Sequence, residues 1–213
     1  MKHFISIIFT ALCFWSCSDF LEEHKTTSLS DNEIYDSEQA LECNINGCYL
    51  SLHGTSLWKG GTFNEYLGSA SAMLLWGGDR TSDEWLDAMY LTKYSTSNAG
   101  NKSIWTQIWA GINRCNRLID NLPESPVEAA YKTEIEAEAR LIRAIFYYTA
   151  VRLWGDVPII RTSPVTSSEL YNPREAWYKV YKFVLEDLTF AENNMRDPAR
   201  VEAVTPRDNR PSK

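Results

Sequence analysis

Residues Tyr131 to Trp154 constrain the fold of this chain more than any other stretch. Ile135, Ala139, Ile142, Phe146, Thr149 and Leu153 make one stripe at spacings of three and four, and Ala137, Leu141, Ala144, Tyr148 and Val151 make a second beside it. Such spacings put residues on one side of a helix. A helix apolar over so wide an arc must be sandwiched between neighbours. Glu136 and Arg140 form an i,i+4 pair on the remaining face, and Gly155 followed by Pro158 ends the helix sharply.

Three further segments can supply those neighbours. The first starts near Asp36, with Gln39 as a capping-box partner, and lines up Leu41, Ile45, Cys48 and Leu52. The second runs from about Ser103 to Leu122 with Trp105, Ile108, Ile112, Cys115, Ile119 and Leu122 on one face, and Pro123 closes it. Another is expected to open at Asn172-Pro173-Arg174-Glu175, Asn capping and Pro in the first helical position, and to bury Trp177, Tyr181, Val184, Leu188, Ala191 and Met195. The run Val157-Pro158-Ile159-Ile160 can pack across the helix ends. The fold class is therefore all-α, with helices packed as antiparallel pairs. Residues Gly54 to Gly100 hold seven of the chain's ten glycines among aromatics. They read as an irregular insertion with one helix around Tyr66 to Trp76.

The first sixteen residues stand apart. MKHFISIIFTALCFWSC has a positive start at Lys2 and an apolar run from Phe4 to Trp15, shorter than the roughly 20 residues that span a bilayer, so residues 1–16 read as a signal peptide. The abrupt change after Ser16 resembles a lipoprotein signal cleaved just before a cysteine, which makes Cys17 the lipid-attachment residue. Phe14 and Trp15 depart from the usual small and aliphatic residues of that signal, whereas Ser16 complies. Residues 17–32, polar and acidic, form a tether, and residues 33–213 form the folded body.

Charge and cysteine content exclude several functions. Twenty-one basic against 28 acidic residues give a net charge of -7, a poor balance for a protein that neutralises nucleic-acid phosphates. Cys43 and Cys48, five apart in one helix, are separated by roughly 140° and 7.5 Å, too far to bridge without breaking the helix. Buried free thiols are expected for Cys43, Cys48 and Cys115. With only His24 and His53 after the signal and no paired-ligand spacing, neither a metal nor another cofactor is expected. No nucleophile motif accompanies His53, and the carboxylates Asp79, Asp83, Glu84 and Asp87 lack a pocket to place them across a glycosidic bond, so the chain does not read as an enzyme.

The run EARLIRAIFYYTAVRLWGDVPII, Glu138 to Ile160, is similar to a signature of the SusD/RagB family: an EAR-x-x-RA start, an aromatic cluster, then LxGDVPxI. CSDFLEE (Cys17 to Glu23), IWTQIWAGINRCNRLID (Ile104 to Asp120) and PREAWYKVYKFVLEDLTFAENNM (Pro173 to Met195) agree with it in the family's order, with Trp109 where the family usually has Tyr. The resemblance implies tetratricopeptide-like helix pairs and a lipoprotein anchored on the outer membrane at the cell surface. It implies a polysaccharide or oligosaccharide ligand, captured and delivered to a SusC-like TonB-dependent transporter. It covers the N-terminal portion of such a protein, so the chain is expected to be truncated at its C-terminus. The alternative is a helical interaction module that binds no sugar.

Sugar recognition combines flat aromatic faces with groups that take hydroxyls. Trp76, Trp85, Tyr90 and Tyr94, accompanied by Asp79, Arg80 and Asp83, are the candidate glycan-binding residues because loops on a rigid scaffold often carry function. The same rings serve equally to pack the insertion onto the helices, and Asp79 with Arg80 serves as a structural ion pair. Trp105, Trp109, Trp154 and Trp177 read as core. Arg140, Arg143 and Arg152 read as surface side chains shielding a helix and pairing with Glu136 or Asp156, the alternative being contact with an anionic ligand.

Overall fold

The computed structural model describes residues 34–57, 99–163 and 171–195, all within the unit Glu33–Lys213. Among them are four helices and no strand: α1 (Glu38–Leu52), α2 (Ala99–Asn121), α3 (Ala129–Trp154) and α4 (Trp177–Asn194). The all-α reading holds. The signal, the tether, the helix expected near Tyr66 to Trp76 and the chain beyond Met195 lie outside the described residues.

α3 packs against each of the other three helices, as its two apolar stripes require. Residue pairs give the directions. Trp105 meets Trp154, Trp109 meets Tyr147 and Asn116 meets Arg143, so α2 and α3 are antiparallel. Tyr148 meets Tyr181, Arg143 meets Asp187 and Arg140 meets Phe190, so α3 and α4 are antiparallel too. Arg114 reaches Gly47 and Ser51 while Gln107 reaches Ser56, which sets α1 antiparallel to α2. α1 runs parallel to α3, with Tyr131 bonded to Glu42 and Tyr49 to Glu138.

The core joins Leu41, Ile45 and Cys48 of α1, Ile104, Ile108, Ile112, Cys115 and Leu118 of α2, and Ile135, Ile142, Phe146 and Tyr147 of α3. Each such large side chain removed from water contributes about 1.5–3 kcal/mol. The aromatics form a chain of tilted and edge-to-face contacts: Trp154 to Trp105, Trp105 to Trp109, Trp109 to Tyr147 and Tyr147 to Phe183, at centroid separations of 5.0–5.8 Å. Much of the chain's aromatic excess is thus spent inside the bundle. α3 ends at Gly155, whose φ of 68° suits glycine, and buried Val157 follows across the helix ends as expected.

Several expectations fail in instructive ways. The cap of α1 is Ser37, its Oγ accepting from the Ala40 N–H at 3.2 Å, which leaves Gln39 outside a capping box. Cys43 is exposed rather than buried, since it lies off the Leu41–Ile45–Cys48 stripe. Cys48 and Cys115 are buried free thiols, and burial together with the neighbouring Cys48 thiol pushes the Cys115 thiol well above its ordinary pKa.

α4 begins at Trp177, four residues later than the Asn-Pro-Arg-Glu signal indicates. The Glu175 N–H donates to the Val157 carbonyl in an isolated antiparallel bridge, and Asn172 reaches the Ile159 carbonyl, so residues 172–175 run beside 157–159. The cap comes from outside the segment, with Asp156 Oδ1 accepting the Trp177 N–H at 2.8 Å. The buried face of α4 is also rotated from the expected one. Val180, Phe183, Val184, Asp187 and Ala191 are buried, while Trp177 and Leu188 are exposed.

Candidate functional site

The candidate glycan-binding residues Trp76, Asp79, Arg80, Asp83, Trp85, Tyr90 and Tyr94 lie outside the described residues, as does Cys17. The frame that bounds their segment is described on both sides. Leu57 is fully buried, and buried Gly100 stands in the first turn of α2. The Ser56 N–H donates to Gln107 Oε1 at 3.1 Å, Gln107 Nε2 donates to Thr55 Oγ1 at 3.4 Å, and the Ser56 and Ser103 hydroxyls share a short hydrogen bond. Residues 55–57 are thereby pinned to the first turns of α2, and both ends of the intervening stretch leave from one corner of the bundle.

Behind that frame lies a buried polar centre. Arg143 places Nε and Nη2 on the two carboxylate oxygens of Asp187, each at 2.8 Å, and Nη1 on Asn116 Oδ1 at 2.8 Å. Arg140 approaches the same carboxylate at 3.6 Å while paired with Glu136. Arg143 and Asp187 are 4% and 0% exposed, so the expectation that Arg143 shields a helix surface is wrong. Burial disfavours its charge, but the bonds and charge of Asp187 outweigh this and hold its pKa above the ordinary arginine value. All five donors of a guanidinium need partners when it is buried, and the fork geometry matches a carboxylate. This centre ties α2, α3 and α4 together. Arg152 is exposed and lies over the Tyr148 ring at 5.3 Å.

Two features open to solvent. A cleft of about 480 Å³ lies between residues 159–161 and the start of α4, lined by Arg161, Asn172, Glu175, Lys182, Phe183 and Glu186 among others. Its charges largely answer one another, Lys179 with Glu175 at 2.8 Å and Arg161 with Glu186 at 3.6 Å. The Arg161 guanidinium covers the Phe183 ring at 4.3 Å. That leaves a polar groove without an open aromatic face for a sugar ring. The second feature is a seam of exposed apolar side chains along α4, with Trp177, Tyr178, Leu185 and Leu188 exposed and Tyr181 partly buried, flanked by exposed Tyr148 of α3. Among the described residues no group of three or more His, Cys, Asp and Glu converges on a metal-sized point, and no helix is long and apolar enough to cross a membrane.

Two antiparallel neighbours, α2 and α4, and one parallel neighbour, α1, packed around the shared helix α3 define an all-helical scaffold among the described residues. The chain belongs to the SusD-like family: the family model described as starch-binding and associating with outer membrane matches residues 19–210. It is similar to a SusD-like protein of Bacteroides ovatus, 27% identical over 196 residues, covering 88% of this chain and 34% of that protein. A SusD-like protein of Formosa agariphila is 26% identical over 182 residues, covering 84% of this chain and 34% of that one. The chain thus spans about a third of the length of these curated relatives. Among solved structures the fold resembles a laminarin-binding SusD-like protein, with a TM-score of 0.66 and 21% identity, covering 78% of this chain and 37% of that one. It also resembles surface glycan-binding protein A from Bacteroides uniformis, with a TM-score of 0.62 and 21% identity, covering 74% and 34%.

Proposed function

We propose that this chain is the N-terminal helical part of a cell-surface lipoprotein that captures an oligosaccharide and delivers it to a SusC-like TonB-dependent transporter, without catalysing a reaction on it. The family match over residues 19–210 carries this reading. The pinned frame supports it, because binding residues held on a loop need a rigid base. Trp76, Trp85, Tyr90 and Tyr94 supply the stacking faces, and Asp79, Arg80 and Asp83 bond the hydroxyls.

Affinity electrophoresis across a panel of starch, laminarin and other polysaccharides tests the reading. The wild-type chain is expected to be retarded by at least one glycan, and Trp85→Ala to weaken that retardation about five- to tenfold, since one stacking contact is worth on the order of 1–1.5 kcal/mol. Retardation by none of them refutes glycan binding by this portion.

The anchor is tested separately. Cells fed labelled palmitate are expected to label the wild-type chain and not Cys17→Ala, whereas equal labelling of both would exclude Cys17 as the attachment site. A second reading, a helical interaction module, is favoured by the apolar seam along α4.

A further inference from the structure

Cys48 and Cys115 are fully buried thiols that glycan capture leaves without a role. Each lies on the buried stripe of its own helix, Cys48 with Leu41 and Ile45 on α1, Cys115 with Ile108 and Ile112 on α2. The register of the two helices sets them opposite each other. Arg114 Nη1 donates to the Gly47 carbonyl at 3.0 Å, and one step further along each antiparallel partner Gln107 Oε1 accepts from the Ser56 N–H. Positions 47–48 of α1 therefore lie level with 114–115 of α2, and the Cys48 and Cys115 thiols meet in a hydrogen bond.

The surroundings allow the two backbones to come close. Gly47, Ser51 and Gly54 also face α2: Arg114 bonds to the first two, and Gln107 fills the space that a Cβ on Gly54 would take. A disulfide requires Cα atoms about 4.4–6.8 Å apart, a separation that helices reach where their facing side chains are short.

We infer that Cys48 and Cys115 are a redox-active pair that closes into a disulfide between α1 and α2. The oxidant is an external disulfide of the glutathione or oxidoreductase class. The thiolate of one cysteine attacks it, forming a mixed disulfide and releasing one thiol. The second cysteine attacks the protein-side sulfur of that mixed disulfide and releases the other thiol. Two protein thiols are thus oxidised, and the external disulfide takes up their two electrons and two protons. Burial and the neighbouring Cys48 thiol keep the Cys115 thiol protonated at neutral pH. Exchange therefore runs while α1 is docking or locally open, and the finished bond is shielded from reductant once the helices close. It rings residues 49–114, which include the whole 58–98 segment and the Ser56, Ser103 and Gln107 frame that bounds it. A cross-link around so long a loop removes much of the freedom of the unfolded chain.

The test is peptide mapping and thermal melting of the full chain, refolded from urea either in dithiothreitol or in glutathione with the oxidised form in excess, then capped with a maleimide. In glutathione most wild-type chains are expected to carry a Cys48–Cys115 linked peptide, which dithiothreitol removes. Cys43→Ser should carry the same link, because Cys43 is exposed, whereas Cys48→Ala and Cys115→Ala should lack it. The linked chain should melt about 5–15 °C above the reduced one, and Cys115→Ala should show no such difference between the two buffers. The mapping is read on the wild type, so it does not depend on how well the variants fold. No linked peptide in the wild type, a link from Cys115 to a cysteine other than Cys48, or a linked chain that melts at or below the reduced one would each overturn the proposal. None of these readouts depends on glycan binding or on the lipid anchor.

Discussion

Asp187→Ala is expected to destabilise the fold by about 3–5 kcal/mol, the usual cost of removing one partner from a buried ion pair. Arg143 would keep its bond to Asn116 but lose both carboxylate oxygens while still 4% exposed. Arg140 could not replace the lost charge, being itself a cation directed at the same carboxylate. At roughly 2–4 °C per kcal/mol for a domain of this size, thermal unfolding followed by circular dichroism should shift down by about 6–20 °C. Replacing both partners with apolar residues of similar volume, Arg143→Met with Asp187→Leu, should cost far less than either single change, because no charge is then stranded. If the double replacement is as damaging as Asp187→Ala, burial of an unpaired charge is not the cause, and the geometry of the pair itself must be holding α3 to α4.

This centre also shows how much of the chain can be read before its structure is known. Periodicity located α3 and its sandwiched position correctly, because wide apolar arcs have only one stable use in a soluble fold. It misplaced the buried face of α4, since Asp187 counts as a surface residue in any hydropathy pattern. With Asp187 removed from the core stripe, the remaining apolar residues fit a stripe of Trp177, Tyr181, Val184 and Leu188, much of which is the exposed seam. A signal was present in the sequence, where Arg143 interrupts the otherwise apolar run from Leu141 to Phe146, and Asn116 falls four residues after Ile112 and three before Ile119 on the buried side of α2. Polar letters recurring inside a core stripe indicate a buried network, and reading them so would have called for a carboxylate on the facing helix.

The start of α4 failed for a different reason. Asn172-Pro173-Arg174-Glu175 is a sound local cap signature, but local preference of this kind is worth only about 1 kcal/mol and yields to tertiary partners. Val157 and Asp156 supply those partners from about twenty residues upstream, and no local pattern encodes them. The same limit governs the candidate site. Its residues were chosen by type, aromatics with acids in an irregular segment, while the frame that holds the segment rests on Gln107, Ser56 and Ser103, polar residues whose pairing is set by how α1 meets α2.

Close approach of α2 to α3 depends on one glycine, and Gly111→Ala is expected to cost about 2–3 kcal/mol despite alanine's better helix propensity. A Cβ on Gly111 would stand 2.3 Å from Phe146 Cζ and 2.4 Å from Cε2. The ring cannot swing into solvent, because Phe146 is fully buried between the helices. Overpacking of this kind costs typically about 1–3 kcal/mol, and the present overlap is severe enough to reach the upper half of that range after propensity returns roughly 0.5–1 kcal/mol. Phe146→Leu removes the ring atoms in conflict, so the double variant should be more stable than the sum of the two single changes predicts, by about 1 kcal/mol or more. Gly47→Ala is the matched control: its Cβ would meet only Arg114 Cδ, at an ordinary 3.7 Å, so the propensity gain should appear undiminished as a small rise in melting temperature. If Gly111→Ala melts at or above the wild-type temperature while Gly47→Ala also stabilises, the helices can separate at no cost. The close packing of α2 on α3 would then not be what holds the frame of the 58–98 segment in place.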